Sequence, residues 1–237
     1  MSRSRPRRAT IVIVAVVVAA TCVALGFWQL RRLDDRRALN ARILARGSAP
    51  PVEIEGTVPP AGARAFARAA AAGTYDVEHE VLVYGRNLDG EPGSDVVTPL
   101  RLPDGGAILV VRGWVPFAFQ EAPIAEAAPP SGDVRVEGTL LPDEGDGSSR
   151  PDAEGVVRTL DVEGIASTLP YDVAPLPLRL IDQTPAQTGD LPRPEPAPAL
   201  SEGPHLSYAI QWFSFAAIAV IGAVVLLRRD RRATGAP

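Results

Sequence analysis

The chain of 237 residues contains no lysine; all 24 of its basic residues are arginine. It has one cysteine, one methionine and only two histidines, His79 and His205. Because Cys22 stands alone inside an apolar run, no disulfide can close within the chain and no redox compartment can be read from it. So few sulfur and imidazole ligands exclude structural zinc and copper carriage through Cys or Met clusters. Also missing are a G-x-S-x-G elbow, a Walker loop, a dinucleotide glycine fingerprint and an H-E-x-x-H pair. A hydrolytic triad would need His79 or His205 as its base, yet His79 lies between Glu78 and Glu80 in an alternating stretch and reads as a structural strand residue. Carboxylate pairs such as Glu53 and Glu55 are what chance supplies among 28 acids. The chain is read as no enzyme.

Two long apolar runs stand out. Ala9 to Leu30 and Leu206 to Leu227 are each 22 residues without a charge. Hydrocarbon about 30 Å thick offers the backbone no partner, so roughly 20 apolar residues rising about 1.5 Å each are what a spanning helix needs. Spans are expected over 10–30 and 206–227. A cleaved signal peptide is the competing reading of the first run, but that run is longer than an h-region and lacks a small-x-small site at its end. Arg3, Arg5, Arg7 and Arg8 precede the first run; Arg228, Arg229, Arg231 and Arg232 follow the second. By the positive-inside rule the tails 1–9 and 228–237 belong in the cytoplasm. The segment 31–205 then faces outward, with 16 Arg against 27 acids, a net −11. So acidic a domain repels nucleic acid.

After the first span the chain stays helix-compatible to Arg46, with Arg31/Asp35 and Asp34/Arg37 spaced to pair, until Gly47 and Pro50-Pro51 stop it. The pattern then changes to period 2. Val52 and Ile54, then Tyr75, Val77, His79, Val81 and Val83, alternate as half-buried strands do. Pro103-Asp104-Gly105-Gly106 reads as a hairpin turn between strands at 96–102 and 107–112. Val134, Val136 and Leu140 alternate again, and Leu176 to Ile181 reads as a last strand. Helices are expected at the Ala-rich Arg64 to Ala72, capped by Gly73, and near Val162 to Thr168. Asp143 to Glu154 and Gln183 to Gly203 read as loop and linker. The expected fold is two transmembrane helices flanking an α+β, mostly antiparallel β domain, as sheet or small barrel.

The residues that carry chemistry converge at the outer membrane edge. Phe27, Trp28 and Gln29 end the first span where His205, Tyr208, Gln211 and Trp212 begin the second. His205, Tyr208 and Trp212 are spaced i, i+3, i+7 and share one helix face. An interfacial aromatic belt explains Trp28 and Tyr208. It explains Gln211 and Trp212 poorly, since a buried amide needs a partner. A neutral imidazole above an aromatic-lined slot would suit a flat apolar cofactor such as haem.

LGFWQLRRL (Leu25 to Leu33), VVTPLRLPDGGAILVVRGWVP (Val96 to Pro116), VEGTLLP (Val136 to Pro142) and PHLSYAIQWFSFA (Pro204 to Ala216) together resemble the Surfeit-locus (Surf/Shy) family of cytochrome oxidase assembly proteins. The resemblance implies a two-span protein of the bacterial cell membrane with an outward domain. It implies assembly of a haem-copper (cytochrome c) oxidase by binding haem a and passing it to the catalytic subunit, with the enzymes of haem a synthesis as further partners. Carried over by position, it makes His205 the haem-iron ligand, with Tyr208, Trp212, Trp28 and Gln29 around the cofactor. Arg112, Gly113, Trp114 and Pro116 match the family's R-G-W-x-P motif and would meet a partner. One departure is Pro204, where many members have Asn; Pro still suits a helix start. The alternative is a two-span regulatory or structural protein without haem, for example in envelope polysaccharide regulation. Such proteins rely on long outward helices, which the prolines and period-2 patterns here oppose.

Overall fold

The computed structural model describes residues 4–195 and 200–234. In chain order the elements are α1 (Ser4–Gly47), β1 (Val52–Ile54), β2 (Arg68–Tyr75), β3 (Val81–Leu88), β4 (Glu91–Arg101), β5 (Ala107–Pro116), β6 (Asp133–Leu140), β7 (Val156–Val157), α2 (Val162–Ala166), β8 (Leu178–Thr184) and α3 (His205–Thr234). They fall into two compact units, a helical one of Met1–Arg42 with Ala199–Pro237, and a β-domain of Ile43–Pro198. Two transmembrane-type helices flanking an α+β domain are thus what the chain forms.

Both long helices are apolar and long enough to cross a bilayer, and the chain is a membrane protein. Their apolar side chains are not used to build a protein core: Ile13, Val16, Ile218 and Ile221 are between 61% and 64% exposed. In lipid such a surface is satisfied by hydrocarbon, while the helix satisfies its own backbone.

The β-domain is a closed barrel. Strands run β2–β6–β8–β5–β4, and β4 returns to β2 through Thr74↔Arg101 and Tyr75↔Leu100. Closure removes the open edges. β1 extends the sheet beyond β2, and β3 with β7 extends it beyond β4. Three pairs are parallel, β1–β2, β3–β7 and β5–β8, and the rest antiparallel. Ile54, Leu100, Ile108, Val136, Leu140 and Leu178 fill one side of the sheet. Val83, Val97, Leu109, Val111, Leu160 and Ile165 form a second core on the other face, partly from α2. Because β4 and β5 are covered on both faces, their burial is continuous over residues 93–100 and 107–115 and does not alternate; β5 accordingly opens on the apolar run 107–111, while β4 buries Ser94, Asp95 and Thr98 among its apolar residues.

The structure revises three sequence expectations. Residues 68–75 of the Ala-rich stretch form a strand, not a helix. Ala69, Ala70 and Ala71 are fully buried between β1 and β6, and a Cβ at Gly73 would stand 2.0 Å from the Arg101 carbonyl oxygen. Close strand approach at the barrel seam needs small residues, and this long-range pairing outweighs alanine's modest helix preference. The alternation Tyr75 to Val83 is broken by a 3₁₀ turn at Val77–His79, where the His79 imidazole bonds the Asp76 carboxylate at 2.9 Å. The expected linker begins inside a strand, since Gln183 and Thr184 belong to β8, and its Arg193 forms a two-bond bridge with Trp114. Residues 196–199 of it lie outside the described residues. The turn at 103–106, the strands at 52–54 and 134–140 and a helix from Val162 form as expected, the last capped by Asp161 accepting from the Gly164 N–H at 2.9 Å.

The R-G-W-x-P motif is a β-bulge. Val96 pairs with Gly113 and Val97 with Val111, so Arg112 is the extra residue. Its guanidinium donates to Glu80 Oε2 at 3.1 Å, to the Ala127 carbonyl at 2.6 Å and to Gln187 Oε1 at 2.9 Å. Glu80 also accepts from the Thr98 hydroxyl at 2.8 Å and the Ile124 N–H at 3.0 Å. Burial lowers the Arg112 pKa and the Glu80 carboxylate works against that shift. Gly113, at φ +146°, lets the Arg193 carbonyl approach to 2.4 Å from where a Cβ would be. Trp114 is fully buried, with the Arg193 guanidinium 4.2 Å above its ring.

A second buried charge cluster centres on Asp95, which is 2% exposed. Arg86 approaches it at 3.2 Å and also binds Glu144 at 2.7 Å, while Arg179 binds Glu195 at 3.0 Å. Burial, and then repulsion from Glu195, push the Asp95 carboxyl up to about 7 against the pull of Arg86 and Arg179.

Two predictions follow from these clusters. Arg112→Met strands the Glu80 carboxylate in the core and should destabilise the β-domain by about 3–5 kcal/mol, whereas Glu80→Met/Arg112→Met recovers much of the loss. Thermal unfolding of the full chain in detergent, followed by circular dichroism, measures both, and equal losses in single and double variants would contradict it. For Asp95, the folded carboxyl keeps a proton that the unfolded chain releases near pH 4. Its stabilisation is therefore complete below that pH and is lost as pH rises through about 7. Asp95→Asn should flatten the decline in unfolding midpoint between pH 4 and pH 7; an unchanged slope means the proton sits elsewhere.

Candidate functional site

The helical unit is an antiparallel pair. Cys22, Gly26, Leu33 and Asn40 are the buried residues of α1, and Ala209 and Ala216 those of α3. Their spacing of four or seven is that of a left-handed helix seam, and small residues there let backbones approach. Gly26 shows it directly: a Cβ would stand 2.6 Å from the Phe213 ring. Phe27 packs edge-on against Phe213 at 5.4 Å. Polar contacts hold both ends of the pair. Arg8 binds Asp230 at 2.7 Å at one end. At the other, Arg37 forks onto both Glu202 oxygens at 2.9 Å each, and Arg36 and Asn40 donate to the Ser201 carbonyl at 3.2 and 3.3 Å. The expected i, i+3 partner of Arg37, Asp34, is displaced by Glu202, and Arg31 and Asp35 form no ion pair among the described residues.

Between seam and polar end lies His205, the first residue of α3. Pro204 accepts the first-turn Tyr208 N–H at 3.1 Å, so proline stands where the helix begins. The His205 Nδ1 lies 2.9 Å from Gln29 Oε1 on α1. An amide oxygen only accepts, so Nδ1 is the donor in this pair, and in the neutral ring that tautomer keeps the lone pair on Nε2. A ligating histidine is commonly oriented in this way, with one nitrogen held by an outer partner and the other free.

His205 borders a cleft of about 260 Å³ lined also by Arg32, Asp35, Arg36, Leu39 and Gly203. Gly203, at φ +71°, adopts a backbone conformation that favours glycine and lies against the Nε2–Cδ2 edge of the ring, a Cβ there standing 3.4 Å from both atoms. Arg32 makes no hydrogen bond or ion pair among the described residues, and Arg36 uses only its Nε, on Ser201.

Of the residues singled out in the sequence, the fold brings His205 and Gln29 together. Trp28 and Tyr208 are 49% and 46% exposed on the helix surfaces and line no part of the cleft. Trp212 is half-buried against Phe215 at 5.9 Å. The packed face of α3 runs His205, Ala209, Trp212, Ala216, so Tyr208 falls off it. Gln211 is exposed; the partnered amide is Gln29. Arg112, Gly113 and Trp114 were expected to meet a partner, but the Arg112 and Trp114 side chains are enclosed in the β-domain and Gly113 is packed against Arg193. Pro116, half-buried, ends β5. Sequence reasoning missed Arg32, Arg36 and Gly203. A signal existed, since Gln29, Arg32 and Arg36 follow i, i+3, i+7 on one face. No group of three or more potential metal-binding His, Cys, Asp or Glu occurs among the described residues.

Residues 16–217 match the SURF1 family. A SURF1-like protein of Monosiga brevicollis is 30% identical over 234 residues, covering 92% of this chain and 88% of that one. One of Rickettsia felis is 26% identical, covering 92% and 96%. An uncharacterised SURF1-like protein of Mycobacterium tuberculosis is 27% identical over 98% and 90%. The match reaches from the first membrane helix, through the whole barrel, to the helix that carries His205, and the chain belongs to the SURF1 family of cytochrome oxidase assembly factors.

Proposed function

We propose that this chain is a haem a carrier for cytochrome c oxidase, receiving haem a from the enzymes that make it and delivering it to the oxidase catalytic subunit. The observation that carries this reading is the 2.9 Å pairing of His205 Nδ1 with Gln29 Oε1 beside a cleft that His205 lines, with Nε2 outside that pairing. Haem iron takes imidazole nitrogen, so the donor fits the cargo. A single histidine, with Gln29 as its one side-chain hydrogen-bond partner among the described residues, suits a carrier that must release what it holds.

On this reading the termini are cytoplasmic in a bacterial cell membrane, with His205 at the outer surface and the β-domain outside, and the arginine clusters flanking the two apolar runs support it. The β-domain then serves docking and not catalysis.

The full chain, produced in a host that makes haem a and purified in detergent, should carry the haem a bands in a reduced-minus-oxidised spectrum. His205→Ala should abolish them with unfolding of the β-domain unchanged. Gln29→Leu should keep the band position and weaken retention about 10- to 100-fold, as loss of an outer-shell partner does. Wild-type bands in His205→Ala would sink the proposal.

A further inference from the structure

The cleft beside His205 contains more than a histidine. Arg32 and Arg36, one turn apart on α1, both line it. Counted from Gln29, whose side chain marks the level of the imidazole, they stand about 4.5 and 10 Å farther along the helix axis. Each has donors to spare. Arg32 is without a hydrogen bond or ion pair among the described residues, and the two terminal nitrogens of Arg36 are uncommitted. Arg37, the neighbour that could compete, is already occupied by the Glu202 carboxylate. With Asp35 on the same wall the lining keeps a net positive charge, in a chain of net −4 whose 31–205 segment carries −11. Gly203 lines the same cleft as the arginines and His205.

Local positive charge, forked donors and an adjacent imidazole together suit a ligand that is at once a metal centre and a carboxylate. Guanidinium binds carboxylate in a two-point fork, a geometry that lysine cannot reproduce. We propose that Arg32 and Arg36 form a carboxylate subsite that holds the propionate arms of a porphyrin whose iron faces His205. This rests on the haem reading of the preceding section and adds to it the group that sets orientation: the charged edge of the ring is turned along α1 away from the apolar seam, and the apolar edge toward it. The two arginines are positioning and binding residues and take no part in redox chemistry.

The test uses the purified full chain in detergent, titrated with ferric protoporphyrin IX and with its dimethyl ester, in which both carboxylates are blocked, and followed by the Soret band. Wild type should bind the free acid about tenfold or more tightly than the ester, and added salt should narrow the gap. Arg32→Ala/Arg36→Ala should lose that preference by weakening the acid alone, with the Soret position unchanged because His205 is intact. Arg32→Lys/Arg36→Lys should retain only part of it. His205→Ala should shift the Soret band with both porphyrins and leave the acid-over-ester preference in place. Equal wild-type binding of acid and ester, with His205→Ala still altering the spectrum, overturns the carboxylate subsite and leaves the haem reading standing. Failure of both porphyrins to bind, or a His205→Ala spectrum identical to wild type, overturns both.

Discussion

The Glu80 carboxylate is the group on which the β-domain turns. Its side chain has no exposed surface and its charge is matched by a single guanidinium. Such a pair is tolerable only when the remaining lone pairs and protons largely find partners, and here the Arg112 Nε–H is the one left without among the described residues. That requirement gathers Thr98 from β4, Arg112 from β5, the turn before Ala127 and Gln187 after β8 into one network. The bulge at Arg112 exists to turn this one side chain inward, and Gly113 is a glycine because the Arg193 backbone passes where a side chain would be. A motif that looks like a recognition signature in the sequence is thus the joint between the barrel and the segment that leaves it.

The helical unit obeys a different constraint. Where lipid surrounds a helix pair, hydrophobic burial does not drive association, and close packing with a few polar contacts must do so. Gly26 against Phe213 provides the packing, and the Arg37 fork and Arg8–Asp230 close the two ends. Between them, the His205–Gln29 pair satisfies one nitrogen and leaves the other open. The same bond that helps join two helices sets the tautomer on which ligand binding depends.

How much of this could be read in advance follows the range of the interaction. The hairpin turn at 103–106, the helix capped by Asp161 and the alternation of β6 depend on neighbours a few residues apart, and each forms where the pattern puts it. The Ala-rich stretch before Gly73 was opaque because its fate is decided by β6 and β4, distant in sequence, which demand small side chains and not helix formers. The burial of Arg112 and Trp114 was equally hidden, since nothing in R-G-W-x-P tells which way a bulge turns.

At the site the division is similar. The sequence alone determined two membrane helices, a β-rich domain between them, and His205 and Gln29 as residues of interest, because charge, length and period are local properties of a chain. Tertiary structure decided that these two side chains meet across 176 positions, that Tyr208 and Trp28 face away, and that Arg32, Arg36 and Gly203 surround the free nitrogen. Those facts depend on the rotation of one helix against another, which is set by the Gly26–Phe213 contact and written in neither helix separately.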